Sequence, residues 1–252
     1  MSTTATLSTE QRQKFDRDGY LVLEDIGVSE DVIDSIVSDL DGMYREDIEL
    51  YTDEHGVVYG VGRILQAFLV NDNIKRLAVN PAVLSALQEL YGRKPLPFQT
   101  INFPRGTQQA PHSDTIHFNS DPPGLMAGVW VAFEDIDMDN GPLVYYPGSH
   151  KLPELRMQDL GLAPGGEHYP EYEAKLTEYV QQKGLEPEYG TIAKGQTLIW
   201  HANLLHGGAP QRDMSRTRNS QVTHYFFEGC RYYTPMSSEG EDVRWRDPVW
   251  VG

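Results

Sequence analysis

From Leu96 onward the chain is a succession of short apolar runs, FQTINF, TIHF, AGVWVAF, GPLVYYPGS, QTLIWHA and SQVTHYFF, divided by Pro, Gly and Asp-Asn turns. Runs this short and this often interrupted cannot wind into long helices, and their β-branched and aromatic content suits pleated, half-buried strands. Many short strands must stack or close on one another to cover their apolar faces. The predicted fold is therefore mainly β with flanking helices, a sandwich or jelly roll.

The residues before this texture read as mainly helical. Ser8 or Thr9 is placed to cap a helix through Phe15, GYLVLEDI (19–26) reads as a short strand, and Ser29 opens a second helix. There Val32, Ile33, Ile36, Val37 and Leu40 repeat at helical spacing and form one apolar stripe. A third helix begins at Asn80 and Pro81 and carries Val83, Leu84, Leu87 and Leu90 before Gly92. The expected organisation is one domain over 1–252, with a helical part at 1–95 and a jelly-roll core at 96–252. The stretch from about 151 to 190, rich in Gly, Pro, Glu and Tyr, lacks strand alternation and is expected to be a helical insertion or a flexible lid.

Charge removes several classes of partner. The chain holds 37 acidic against 21 basic residues, a net charge of -16, which argues against a nucleic-acid backbone or an anionic membrane surface. The opening MSTTATLSTEQRQ has neither a basic n-region nor an apolar h-region, and no apolar run is long enough to span a bilayer. A soluble, cytoplasmic protein acting on a small molecule is the expectation. With Cys230 as its one cysteine it can form no intrachain disulfide and no cysteine-based zinc site, and that thiol is expected to be buried packing.

The segment APHSDTIHF (110–118) puts His112 two residues before Asp114. On a strand the two side chains would share a face, about 6.6 Å apart along the chain, with Ser113 pointing away. Eight histidines make a chance His-x-Asp unremarkable, so the pair gains weight only from a third ligand. His206 supplies the better candidate, because Gly207 and Gly208 beside it allow close approach of backbone to a metal. His201 is the alternate ligand and is expected to pack or hydrogen-bond beside Trp200. His150 follows the Pro147-Gly148 bend and is expected to be architectural. Two imidazoles and a carboxylate on one face of a metal suit non-haem Fe(II) oxygenases, although zinc is chemically possible. Arg218, with Arg216 as near neighbour, could clamp the far carboxylate of a dicarboxylic co-substrate, whereas Arg212 and Arg216 are expected at the surface.

Taken in order, HSD (112–114), DNGPLVYYPGSHK (139–151), HGG (206–208) and RNSQVTHYF (218–226) resemble the phytanoyl-CoA dioxygenase family of Fe(II)- and 2-oxoglutarate-dependent oxygenases. LSTEQRQKFDRDGYLVLEDI (7–26) resembles that family's N-terminus, so the likeness covers most of the chain. The resemblance implies a double-stranded β-helix, the cupin-like jelly roll, with His112, Asp114 and His206 as the catalytic ligands of Fe(II). It also implies Arg218, six residues before the HY of THYF, on the C5 carboxylate of 2-oxoglutarate. The resemblance also places Trp130, Gln99 and Asn102 where further co-substrate contacts are usual, with a core aromatic for Trp130 and strand-edge polar residues for Gln99 and Asn102 as the alternative readings. The implied reaction consumes O2 and 2-oxoglutarate, releases succinate and CO2, and hydroxylates a substrate, with desaturation or ring closure as other outcomes. Asp114 stands where related halogenases carry a small residue, which favours hydroxylation.

For the substrate, the candidates are Tyr59, Arg63, Gln66, Phe118, Asn119 and the 151–190 insertion, whose mixed aromatic and polar character suits a small functionalised metabolite. A CoA thioester would favour a basic mouth that this acidic chain does not advertise. Two readings compete: a cupin-like isomerase or lyase using zinc or manganese on the same ligands, and a jelly roll that binds a small molecule without catalysis.

Overall fold

A computed structural model describes residues 6–45 and 50–252. The start of the N-terminal segment read above, residues 1–5, lies outside the described residues. Ser8 caps α1 (Thr9–Asp18) with a full capping box, its hydroxyl accepting from Gln11 N while the Gln11 side chain accepts from Ser8 N. There follow β1 (Tyr20–Leu23), α2 (Glu30–Leu40), β2 (Leu50–Thr52), β3 (Val58–Gly60), β4 (Arg63–Leu65), α3 (Asp72–Ala78) and α4 (Pro81–Tyr91). Next come β5 (Pro95–Phe103), β6 (Asn119–Asp121), β7 (Met126–Ala132) and β8 (Leu143–Tyr145). The chain continues through α5 (Tyr169–Lys183), β9 (Glu188–Tyr189), β10 (Thr197–His201), β11 (His206–Gly208), β12 (Ser220–Phe227) and β13 (Arg231–Tyr233).

Eight strands form one antiparallel sheet in the order β1-β10-β7-β12-β5-β4-β3-β2. A three-stranded sheet, β11-β8-β9, and the pair β13-β6 complete the β structure. This is the jelly roll expected from the spacing of the runs. Strand alternation divides the large sheet into two faces. Val129 and Val131 of β7, Ile199 of β10 and Tyr225 and Phe227 of β12 pack with Phe15, Ile33, Ile36, Leu77 and Leu87 of the helices. The alternate positions Trp130, Leu198, Trp200 and Val222 face inward, with Tyr145 of β8 and Phe103 of β5. Helices thus seal one face and leave the other for the site.

Two sequence readings change. The first ninety-five residues are not only helical: β2, β3 and β4 extend the large sheet beyond β5. TIHF is not a strand, because the Ser113 hydroxyl accepts from Thr115 N and caps a 3-10 turn over 114–116. The 151–190 stretch is helical, built around α5 with short 3-10 turns before it. No helix among the described residues is long and apolar enough to cross a membrane.

Gly207 and Gly208 accept a crossing chain. A Cβ on Gly207 would meet Gln109 O at 2.6 Å, and one on Gly208 would meet Gln108 N at 2.6 Å. The glycine pair therefore admits the 107–110 backbone that leads into His112, and close approach to a metal is not what requires it. Gly207→Ala should lower unfolding free energy by about 1–3 kcal/mol, as expected when a packed site is overfilled. Gly166→Ala, whose nearest neighbour is Met236 Sδ at 3.9 Å, should change it by less than about 0.5 kcal/mol. Urea denaturation of both variants checks this; equal stability would show that the chain crossing is not tight.

Candidate active site

The site begins with a backbone pair. His112 N donates to His206 O at 2.8 Å and His206 N donates to His112 O at 2.9 Å, a single antiparallel bridge outside the longer strands. It brings the two imidazoles together, with ring centroids 4.5 Å apart and planes tilted by 48°. His112 Nδ1 lies 3.1 Å from Ala110 O and His206 Nδ1 lies 2.9 Å from Leu204 O. A carbonyl oxygen only accepts, so both Nδ1 atoms carry hydrogen and both Nε2 lone pairs are left for a metal. The Ser113-capped turn swings the Asp114 carboxylate to the same point, with Oδ1 3.8 Å from His206 Nε2. Convergence therefore comes from a turn, and the strand geometry expected for His112 and Asp114 does not apply. One ligand atom from each of His112, Asp114 and His206 lies within 4.8 Å of the others, and all three residues are buried.

Trp200 Nε1 donates to Asp114 Oδ2 at 2.7 Å, which holds one carboxylate oxygen and leaves Oδ1 facing the imidazoles. Gly128 makes room for that indole, since a Cβ there would stand 2.2 Å from it. His224 Nε2 sits 3.7 Å from the same Oδ2, and its Nδ1 is 3.0 Å from Gln99 Oε1. Burial and then the neighbouring His206 pull His112 down to about 3. Burial alone would raise Asp114, but His206, His224, His112 and the Trp200 hydrogen bond hold it at about 2. At neutral pH, then, His112 is neutral and Asp114 ionised, the states a divalent metal requires of its ligands. The donor set fits iron.

A cavity of about 360 Å³ opens on this cluster and is also lined by Arg218 and Trp130. Arg218 is 2% exposed. Its guanidinium lies 5.3 Å from the Trp130 ring and 5.9 Å from Phe103, and it donates to Ser220 Oγ at 3.1 Å and Arg105 O at 3.4 Å. Arg218 Nε and Trp130 Nε1 are buried with no hydrogen-bond partner. Burial pulls Arg218 down to about 10, so it stays charged at neutral pH. A buried guanidinium without a carboxylate partner among the described residues is costly, which marks an anion site. Arg216 is committed elsewhere, with Nη1 2.9 Å from both Asp137 oxygens at the surface.

The other sequence candidates divide. Gln99, Arg63 and Phe118 line the cavity. Asn102 does not: it lies three positions after Gln99, on the opposite face of β5, and donates to Gln221 Oε1 at 3.4 Å. Tyr59 is turned to Asp53, Gln66 braces β5 through Thr100 N, and Asn119 donates to Glu154, so none of the three reaches the cavity. His201 points away from the metal cluster and accepts from Asn203 N at 3.0 Å, while His150 lies against Asp16 O. Cys230 is only half-buried, with Sγ 3.4 Å from Arg93 Nη1. The sequence did not single out Trp200, His224, His117 or Gln109, and it named Tyr169 only through the 151–190 insertion, yet all five touch the cluster or the cavity. Alternation along TLIWH was the available signal for Trp200, which must face opposite to His201.

Two imidazoles and one carboxylate on one side of a jelly-roll cavity, with an unpaired arginine buried in its wall, define a non-haem iron and 2-oxoglutarate-dependent oxygenase. The chain belongs to the phytanoyl-CoA dioxygenase (PhyH) family, whose profile matches residues 15–218. The peroxisomal phytanoyl-CoA dioxygenase of Rattus norvegicus is 26% identical over 260 residues, covering 94% of this chain and 73% of that protein. Among solved structures, the carbocyclase SnoK from nogalamycin biosynthesis has a TM-score of 0.68 at 16% identity, covering 98% of this chain and 99% of that one. EctD from S. alaskensis with 2-oxoglutarate and 5-hydroxyectoine has a TM-score of 0.67 at 20% identity, covering 99% and 87%. Both structures share the fold.

Trp200→Phe keeps an aromatic ring, though a smaller one, and removes the N–H that holds Asp114, so Fe(II) affinity should fall by about 10- to 100-fold with the fold intact. Anaerobic metal titration checks it, and unchanged affinity would mean that the indole only packs. His201 offers a pH test, because burial and then His150 pull it from its ordinary 6.5 to about 4. The unfolded chain then gains a proton as pH falls through about 6.5, and the folded chain does not until about 4, so stability is lost as pH drops across that window. Between pH 7 and pH 5 the wild type should lose about 2 kcal/mol more than His201→Asn, which keeps an acceptor for Asn203 N without titrating. Urea denaturation at the two pH values measures the difference.

Proposed function

We propose that this protein hydroxylates a small metabolite in an Fe(II)- and 2-oxoglutarate-dependent reaction, and that Arg218 binds the far carboxylate of 2-oxoglutarate. The observation that carries the reading is the buried, unpaired Arg218 guanidinium in the same cavity as the His112, Asp114 and His206 cluster.

In this reading His112 Nε2, Asp114 Oδ1 and His206 Nε2 hold the iron. Iron and 2-oxoglutarate together supply the oxidising power, the keto acid being converted to succinate and CO2 as O2 is consumed. Trp200 holds Asp114 Oδ2, which would leave Oδ1 for the metal. Arg218 and Trp130 line the cavity together, and Arg218 meets the co-substrate carboxylate with its guanidinium. The apolar walls Ile101, Phe103, Leu143 and Val222 exclude water from the reacting centre. The volume, about 360 Å³, lies in the range that suits a small ligand. A net charge of -16 gives no support for gripping the phosphates of a CoA thioester.

Arg218→Ala should weaken 2-oxoglutarate binding at least about tenfold with Fe(II) binding retained, since a hydrogen bond to a charged group contributes about 1.5–3 kcal/mol. Arg218→Lys should recover part of the loss, keeping charge without the two-pronged geometry. Arg216→Ala, whose side chain is occupied by Asp137, should change affinity less than about twofold. Anaerobic calorimetry of the Fe(II)-loaded protein reads all three; an unchanged dissociation constant in Arg218→Ala would end the co-substrate assignment.

A further inference from the structure

Arg63, His117 and Tyr169 line the cavity but have no part in the roles given above. Tyr169 opens α5, so it carries the 151–190 insertion to the site. Gln109 Nε2 donates to Glu173 Oε1 at 2.9 Å and to the Tyr169 hydroxyl at 3.0 Å. The carboxylate can only accept, which fixes that Gln109 atom as nitrogen and donor. With Gln109 donating to its oxygen, we assign the Tyr169 proton to His117 Nε2, 3.0 Å away, the arrangement that gives the hydroxyl hydrogen an acceptor. A ring that accepts at Nε2 is neutral. Such a ring carries its hydrogen on Nδ1, and no protein acceptor among the described residues lies within hydrogen-bonding distance of that atom.

Arg63 stands at the same mouth, exposed, close enough that its charge opposes protonation of His117. It makes no ion pair with a described residue. Asp114 is the one carboxylate in the cavity lining, and the metal claims it. Fe(II), Asp114, dianionic 2-oxoglutarate and Arg218 balance to neutral, so Arg63 leaves one positive charge uncompensated. A wall with a spare cation and a spare N–H donor calls for an acceptor-rich anion.

We propose that Arg63 and His117 form the substrate subsite and that it takes a small metabolite through a carboxylate. Arg63 grips the anion, His117 donates from Nδ1, and Tyr169 is the positioning residue that sets the His117 tautomer. The inference rests on the oxygenase reading above.

The test uses the Fe(II)-loaded protein. Co-substrate binding is measured first; if 2-oxoglutarate fails to bind, the oxygenase reading falls and this one with it. Common α-amino acids and short hydroxy acids, each paired with its carboxamide, are then screened for stimulated succinate release. The expected result is stimulation by an acid at concentrations at least about tenfold below those its carboxamide needs. Arg63→Gln should raise the half-saturating concentration of that acid at least about tenfold while leaving its carboxamide within about twofold. Tyr169→Phe should move the His117 ring nitrogens, read by ¹⁵N NMR, from a fixed Nδ1–H signature to a mixed one and weaken the same acid. Carboxamides as effective as acids, no acid acting although 2-oxoglutarate binds, an Arg63→Gln variant that treats the acid as wild type does, or an unmoved His117 signature would each overturn the proposal.

Discussion

The two backbone hydrogen bonds between His112 and His206 are the constraint on which the rest of the site depends. They join a segment descending from β5 to β11 in the smaller sheet, and they set the separation of two ligands that lie 94 positions apart in the chain. Every nearby feature serves that contact. Gly207 and Gly208 lack the Cβ atoms that would push the 107–110 backbone away. The carbonyls of Ala110 and Leu204 then turn each ring so that Nε2 faces its partner. A metal site built this way is positioned by main chain and needs little from side-chain packing.

Around that bridge the protein buries a carboxylate and a guanidinium that do not pair with each other. Asp114 is 4% exposed and Arg218 2%. Desolvating either charge is expensive, so each is stabilised locally: Asp114 by an indole N–H and surrounding imidazoles, Arg218 by Ser220, a backbone carbonyl and two aromatic faces. What remains unmet is specific in sign, a cation beside Asp114 and an anion beside Arg218. In the function proposed above, iron and a dicarboxylic keto acid would answer both demands.

Much of this was legible in the sequence, and the failures have physical causes. The order HSD, HGG, RNSQVTHYF pointed to residues that the fold brings to one cavity, the His112, Asp114 and His206 cluster and Arg218. The spacing of apolar runs carried the sheet because strands of this length have few ways to cover their faces. The strand geometry for His112 and Asp114 failed because the Ser113 cap, a local side-chain hydrogen bond, competes with extended backbone. Gln99 and Asn102 were both named although three positions on a strand put them on opposite faces, so alternation could have separated them. Strands β2 to β4 escaped notice because they are three residues long and β2, the edge of the sheet, is exposed throughout with no alternation. His117 and Tyr169 could not be joined from sequence, since only the fold of the insertion brings α5 to Gln109.

The central claim is that His112, Asp114 and His206 hold Fe(II) with coordination positions open to 2-oxoglutarate. The most direct measurement is the visible absorption spectrum of metal-free protein titrated with Fe(II) and then 2-oxoglutarate under anaerobic conditions. The account predicts one Fe(II) per chain and a new metal-to-ligand charge-transfer band that saturates with the keto acid. Tight stoichiometric zinc that Fe(II) cannot replace, with no spectral response to 2-oxoglutarate, would contradict it.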